Sequence, residues 1–366
     1  MKKVLFVATV FEHFKAFHLP YMKMFQDMGY EVHIAANHFV DMPYFDKKFE
    51  LPIERLPYNK NNITAYKQLK TIIDAEKYDI IHCHTPMGGA IARLAAKGVR
   101  KHGTKVFYTA HGFHFYKNAP LVNWLIYYPI EKILSNFTDV LITINKEDFS
   151  RAKKHFKAKE IRYVPGVGVN LNKFGNVALN KEECKKKLGI PKDGRIVLSV
   201  GELNKNKNHE TAIKAIAGLK NKNIHYIVAG VGGLDKHLIN VAEECNVKNN
   251  VHLLGRREDI AELCDLADIF CFPSYQEGLP VSLMEAMASG LPCVVSNIRG
   301  NSDLIENGQG GFLISPTDTN TFADKINTLI SDEKLRAEMG EINKKNIVTF
   351  SSENVEKMMR EIYLSV

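Results

Sequence analysis

Cysteine is scarce in this 366-residue chain: there are six, none in a Cys-x-x-Cys pair, and several sit inside apolar runs, as Cys271 and Cys293 do. That pattern argues against a disulfide frame or a thiolate zinc site and fits buried, reduced thiols of a cytosolic protein. Long hydrophobic runs are missing too, since none approaches the roughly 18 apolar residues of a membrane span. The opening Met-Lys-Lys-Val-Leu-Phe-Val-Ala-Thr-Val-Phe imitates a secretion signal. However, Glu12, His13 and Lys15 end the apolar run early and no small-x-small cleavage site follows, so a first core strand is expected. No Gly-x-Gly-x-x-Gly fingerprint follows the first strand of either half, which disfavours a dinucleotide oxidoreductase. Acid is absent from a whole region: between Asp79 and Glu131 no Asp or Glu occurs, while Arg93, Lys97, Arg100, Lys101, Lys105 and Lys117 all fall there.

The charge that is present is unevenly spread. The chain has 49 Lys and Arg against 41 Asp and Glu, a net +8. Residues 1–170 hold 25 basic and 15 acidic side chains, a net +10, which leaves −2 for the remainder. A phosphate, a nucleic acid or a membrane surface is the expected partner of the first half. With 45% apolar and 25% charged residues the composition is that of an ordinary globular protein. At roughly 100–200 residues per domain, the length predicts two domains.

Short Val/Ile/Leu/Phe runs alternate with segments of helical period. Strands are expected at 3–9, 31–36, 78–83, 105–110, 138–144 and 161–164, then at 195–200, 224–229, 250–254, 268–272, 292–296 and 312–314. Continuous apolar strands separated by helices imply parallel sheets covered on both faces, a doubly wound α/β architecture in each half. Pro165-Gly166-Val167-Gly168 supplies a hinge. The expected domains are 1–170 and 171–350, with a final amphipathic helix at 351–366 that has no strand after it and could pack across the junction. Ligands of such sheets bind at the carboxyl ends of the strands, so two facing sheets would place the site in a cleft between the domains.

The strongest motif follows the strand ending at Phe272: Ser274-Tyr275-Gln276-Glu277-Gly278-Leu279-Pro280-Val281-Ser282-Leu283-Met284-Glu285-Ala286. Pro280 suits a helix start, and free amides from Gly278 onward would attract phosphate. Glu277 before the helix and Glu285 within it could accept from vicinal sugar hydroxyls. Two carboxylates flanking an amide-lined anion site suit a nucleotide sugar, although spacing alone would be equally met by an unrelated surface pair. Ser199-Val200-Gly201-Glu202-Leu203-Asn204-Lys205-Asn206-Lys207 ends another strand, with Gly201, Lys205 and Lys207 as candidates. Gly230 lies in a glycine-rich turn, and Gly255 and Arg256 follow a further strand. His82 and His84 flank Cys83, poor metal geometry without a carboxylate, and core or cleft-edge roles are expected for both.

These segments resemble the retaining glycosyltransferases of family four, which have the GT-B fold of two Rossmann-like domains; the likeness runs through essentially the whole chain. It implies that Glu277 contacts the transferred sugar, that Glu285 holds the ribose, and that the Gly278 and Leu279 amides meet sugar and diphosphate. Lys207 matches the lysine of the family's diphosphate clamp. Glu202 departs from the pattern, standing where the family has an arginine, so either it turns away and Lys205, Arg256 or Arg299 supplies the second cation, or the donor is held more weakly. Gly201, Gly230, Gly255 and Arg256 are implied donor-binding positions. His111, in Ala110-His111-Gly112-Phe113-His114, matches the family's sugar-contacting histidine, and His13 could touch the acceptor where many relatives have a Gly-Gly loop.

The resemblance further implies transfer of a hexosyl group, N-acetylhexosaminyl among the options, from a UDP-sugar with retention and without a metal or other cofactor; no Asp-x-Asp occurs. The likeness is greatest to bacterial capsule and exopolysaccharide transferases. It suggests a polyprenyl-diphosphate-linked sugar as acceptor and a cytoplasmic enzyme held peripherally on the inner face of the cell membrane. The basic, aromatic-laced stretch 93–128 and the run 151–159 would face that anionic surface. A soluble-acceptor transferase and a UDP-sugar epimerase are the alternatives. A nucleic-acid binder is disfavoured for want of a recognised module.

Overall fold

The computed structural model describes residues 1–175, 177, 179–221 and 223–365. Two units make up the chain: Met1–Val167 joined by the residues from Val355 onward, and Gly168–Asn354. Gly168 sits where the chain passes into the second unit, with φ +78°; a Cβ there would lie 2.6 Å from the Ser352 Cα, so only glycine fits.

In the first unit β1 (Lys3–Val10), β2 (Glu31–Asn37), β3 (Lys47–Glu50), β4 (Ile80–His84), β5 (Lys105–Ala110), β6 (Val140–Thr143) and β7 (Glu160–Tyr163) form one sheet in the order β3-β2-β1-β4-β5-β6-β7. Every described pairing in it is parallel. Side chains alternate across the strand: Val4, Phe6 and Ala8 enter one core, Leu5 and Val7 the other. That is why these strands carry unbroken apolar runs. Strand β3 was not expected from the sequence. Its Lys-Lys-Phe-Glu is exposed at three of four positions, as an edge strand blunted by charge should be.

The helix Ser352–Leu364 completes this unit. Val355, Met359, Ile362 and Tyr363, spaced i, i+4, i+7, i+8, are buried in the same core as Val4 and Phe6. The Tyr363 hydroxyl meets His82 Nδ1 at 2.5 Å, and His82 Nε2 meets Thr109 Oγ1 at 2.8 Å.

The second unit holds β8 (Arg195–Val200), β9 (Ile224–Ala229), β10 (Val251–Leu253), β11 (Ile269–Phe272), β12 (Cys293–Ser296) and β13 (Gly311–Ile314), ordered β10-β9-β8-β11-β12-β13 and again parallel. Val197, Tyr226, Val228, Cys271 and Val294 are among the residues of its core. Strand order reverses between β1 and β4 in one sheet and between β8 and β11 in the other. Those two reversals, at the carboxyl ends of the strands, are where an open parallel sheet leaves a crevice for ligands. Among the described residues no helix is long and apolar enough to cross a membrane.

Candidate active site

At the second unit's reversal the loops that leave β8 and β11 are laced together. The Tyr275 amide donates to the Asn206 carbonyl at 2.8 Å, and Asn206 Nδ2 to the Gln276 carbonyl at 2.9 Å. Asn208 Nδ2 donates to the carbonyls of Pro273 and Pro316. The lacing sets Lys207 Nζ 2.7 Å from Glu277 Oε1, both partly buried, with the ammonium 4.8 Å from the centre of the Phe272 ring. Partial exclusion of water strengthens such a pair relative to one at the surface.

Glycines make room around it. A Cβ at Gly230 would stand 1.8 Å from the Gly201 carbonyl oxygen, and one at Gly201 would be 3.2 Å from Lys207 Cε. The Gly230 amide donates to the Gly255 carbonyl at 2.8 Å, and Gly255 has φ +68°. Gly201, Gly230 and Gly255 are thus joined in one backbone contact. Leu279 is buried and Gly278 half-buried ahead of the helix Val281–Ala288. Glu285, inside that helix, is half-buried; burial pushes its carboxyl up to about 7, with Lys173 pulling weakly the other way.

Glu202, the residue out of keeping with the diphosphate clamp, is exposed and accepts from Asn204 Nδ2 at 2.8 Å. Buried Arg299 instead reaches the site, its Nε donating to the Glu277 carbonyl at 3.1 Å. Lys205 and Arg256 are exposed, and Arg257 pairs with Asp259 at 2.7 Å.

The first unit's reversal has a different chemistry. Thr85, just past β4, takes φ +62°, unusual for a β-branched residue, and is held by the Thr9 amide at 3.0 Å and the Thr9 hydroxyl at 2.7 Å. His82 and His84, two apart on β4, share one face of the sheet. His82 is satisfied by Tyr363 and Thr109, whereas His84 meets His13, His18 and His111. One nitrogen from each of those four imidazoles lies within 4.8 Å of the others. Burial pushes His111 down to about 4; burial and neighbouring imidazoles push His13 down to about 2 and hold His18 and His84 well below the usual value. All four are neutral at pH 7. His13 and His111 also line a cavity of about 440 Å³ with Thr9, Thr85 and Glu131.

The basic stretch is partly internal. Arg93 is buried, bidentate to Glu131 at 2.8 and 3.0 Å, with its guanidinium 3.8 Å from the Tyr108 ring centre. Arg100 and Lys159 both pair with Asp139, and Arg151 with Glu147. Phe107, Tyr108, Phe113 and Phe115 are core residues rather than a surface stripe. Lys101, Lys117, Lys153, Lys154 and Lys157 remain exposed. The helical period at 120–135 forms the helix Leu121–Leu134, and what the sequence reading missed is that this helix exposes Leu121, Val122, Leu125, Ile126, Ile130 and Ile133. Its i, i+4 spacing was the available signal.

Two parallel-sheet α/β units are the arrangement of the GT-B fold, and the chain belongs to the GT-B glycosyltransferases of the exopolysaccharide type. Residues 180–346 match the family of glycosyl transferases group 1, and residues 3–145 the glycosyl transferase 4-like family. The chain is 44% identical over 366 residues to "Putative glycosyltransferase EpsD" of Bacillus subtilis (strain 168), covering 99% of this chain and 96% of that one. It is 34% identical over 286 residues to the UDP-Gal:alpha-D-GlcNAc-diphosphoundecaprenol alpha-1,3-galactosyltransferase of Escherichia coli, covering 75% of this chain and 71% of that protein. Among solved structures, Anabaena HepE in complex with UDP and glucose superposes with a TM-score of 0.80 at 19% identity, over 100% of both chains.

Proposed function

We propose that this protein transfers a hexosyl group from a UDP-sugar to a sugar carried on a polyprenyl diphosphate, with retention at the anomeric carbon. The observation that carries the reading is the Lys207–Glu277 pair at the β8/β11 reversal, beside the amides that open the helix Val281–Ala288. Lys207 is placed to receive the donor's diphosphate, which would take over the ammonium from Glu277 and free that carboxylate for sugar hydroxyls. Glu285 takes the ribose hydroxyls, and the Gly201, Gly230 and Gly255 backbone admits the nucleotide, with Lys205 and Arg256 as outer cations. In the first unit, His111 is the candidate sugar contact and His13 the acceptor-side candidate.

In the reaction the anomeric carbon–oxygen bond to the diphosphate breaks as the acceptor hydroxyl oxygen bonds to that carbon on the same face. The hydroxyl proton passes to the departing phosphate oxygen. Negative charge grows on the diphosphate, so Lys207 and the helix amides stabilise the transition state more than the ground state, and no resident cofactor is called on.

The acceptor half rests on the helix Leu121–Leu134. An apolar face of six exposed aliphatic side chains flanked by Lys117 and Lys132 suits the boundary of an anionic bilayer, which supports a peripheral position on the cytoplasmic leaflet. Lipid-linked substrate also agrees with the acceptor in the name of the Escherichia coli relative. The test is turnover of a panel of UDP-sugars with synthetic polyprenyl-diphosphate acceptors, followed by NMR of the product's anomeric configuration. An inverted product would end the retaining reading; equal turnover of a soluble acceptor would end the lipid-acceptor one. UDP-sugar consumption without acceptor would point to an epimerase.

A further inference from the structure

We propose that His13, His18, His84 and His111 bind one divalent transition-metal ion of the imidazole-preferring kind, Zn²⁺ being the type. The four side chains come from separate parts of the sequence: the helix Glu12–Phe17, the residue after it, the end of β4 and the turn after β5. Nothing in their spacing announces a site, but the β1/β4 reversal gathers them.

Two observations point to a ligand. Both ring nitrogens of fully buried His84 lack any hydrogen-bond partner, as do buried His18 Nδ1 and His111 Nε2. An unpaired buried polar atom costs on the order of 1–3 kcal/mol, and an ion taking one nitrogen from each ring would satisfy one on His84 and the one on His111. Second, the geometry is close to closing. His13 Nε2 and His18 Nε2 are 3.2 Å apart. A tetrahedral ion with metal–nitrogen bonds of about 2.0–2.1 Å separates its ligands by about 3.3 Å. With all four nitrogens inside 4.8 Å, small ring rotations complete the set.

The donor set selects the ion. Four nitrogens and no carboxylate disfavour Mg²⁺, Ca²⁺ and Mn²⁺ and favour Zn²⁺, Co²⁺, Ni²⁺ or Cu²⁺. His82 stays outside, held by Tyr363 and Thr109, and packs against the His84 ring at 4.0 Å between centres. The half-buried His13 and His111 give a route in from the 440 Å³ cavity. Two of the ligands, His13 and His111, are also the acceptor-side and sugar contacts of the transferase reading, so a bound ion would occupy one ring nitrogen of each; the ion itself needs no donor or acceptor to bind.

The experiment uses the full-length, tag-free protein, stripped with chelator and titrated with Co²⁺ alone. The expected result is one equivalent bound, with the intense visible absorption of tetrahedral Co²⁺, displaced by Zn²⁺ and accompanied by a higher melting temperature. His84→Ala should weaken binding on the order of tenfold or more. Since His84 is buried, His13→Ala, at the half-buried edge, serves as the second variant, with circular dichroism confirming that each is folded. Absence of stoichiometric Co²⁺ uptake, or uptake by folded His84→Ala and His13→Ala as tight as the parent's, overturns the proposal. Uptake is read without donor or acceptor, so its failure leaves the Lys207–Glu277 reading of donor binding standing.

Discussion

At the second unit's reversal an ammonium and a carboxylate stand 2.7 Å apart among glycines, whereas at the first unit's reversal four uncharged imidazoles face one another with nitrogens unpaired. The topology is the same, two parallel strands whose order reverses, yet one crevice keeps charge and the other removes it. The difference lies in what the strands present. β8 and β11 end in loops whose glycines expose backbone and leave Lys207 and Glu277 partly wet. β4 carries its histidines on the face that packs against Phe6 and Tyr363, where desolvation keeps them neutral. A parallel sheet therefore fixes where a ligand binds, while the burial of the strand ends fixes whether that ligand meets charge or lone pairs.

The largest expected effect breaks the support of one crevice and spares the other. Tyr363→Ala should destabilise the first unit by roughly 3–5 kcal/mol, as large core truncations do. The single tryptophan, Trp124, belongs to that unit, so its fluorescence in a urea titration reports the loss. An unchanged midpoint would show that the C-terminal helix is dispensable.

Next comes the charge itself. Lys207→Ala should lower kcat/KM for the UDP-sugar on the order of 10²–10³-fold, the usual cost of removing a group that stabilises developing charge. Full activity in Lys207→Ala, Glu277→Ala and His111→Ala alike would sink the assignment of the site.

Glu285 sharpens the contrast, because it is the one carboxyl of the charged crevice held near neutrality. Its folded value of about 7 lies above that of an unfolded glutamate, so its contribution to stability is present at low pH and is lost as pH rises through about 7. Glu285→Gln should raise stability at pH 8 by on the order of 2 kcal/mol and leave it nearly unchanged at about pH 4, below the range in which an unfolded glutamate ionises. Thermal melts at both values read this out. A variant equally stabilised at both would mean that burial of the carboxylate is not the cause. Smallest are the surface effects: Lys117→Ala and Lys132→Ala should each weaken binding to phosphatidylserine vesicles by about 1 kcal/mol, while Leu125→Asp should weaken binding to anionic and neutral vesicles alike.

Much of this was readable before any coordinates. The parallel architecture followed from unbroken apolar runs, and every expected strand forms within two residues of its place, because strands buried on both faces have little other sequence available to them. β3 escaped notice since an edge strand needs no apolar pattern. Glu277 and Lys207 could be singled out from their positions after strands, and the glycines of the turns were visible, but not that Gly201, Gly230 and Gly255 form one contact. The histidine cluster was hidden because its members are close only through the sheet's order. His84 looked like half of a poor metal pair with His82, and alternation along β4 did put both on one face, yet hydrogen bonds to Tyr363 and Thr109 keep His82 out of the cluster. Arg93 looked like surface charge because Glu131 lies 38 residues away along the chain.

The C-terminal helix has a consequence for the order in which the protein comes into being. Val355, Met359, Ile362 and Tyr363 close the core around β1, which leaves the ribosome before the second unit, yet they follow the whole of that unit. At synthesis rates of roughly 5–20 residues per second, the first unit waits on the order of 10–40 s with one side of its core uncovered. During that interval β1 has an exposed apolar face, which is when a chaperone would be of most use to it.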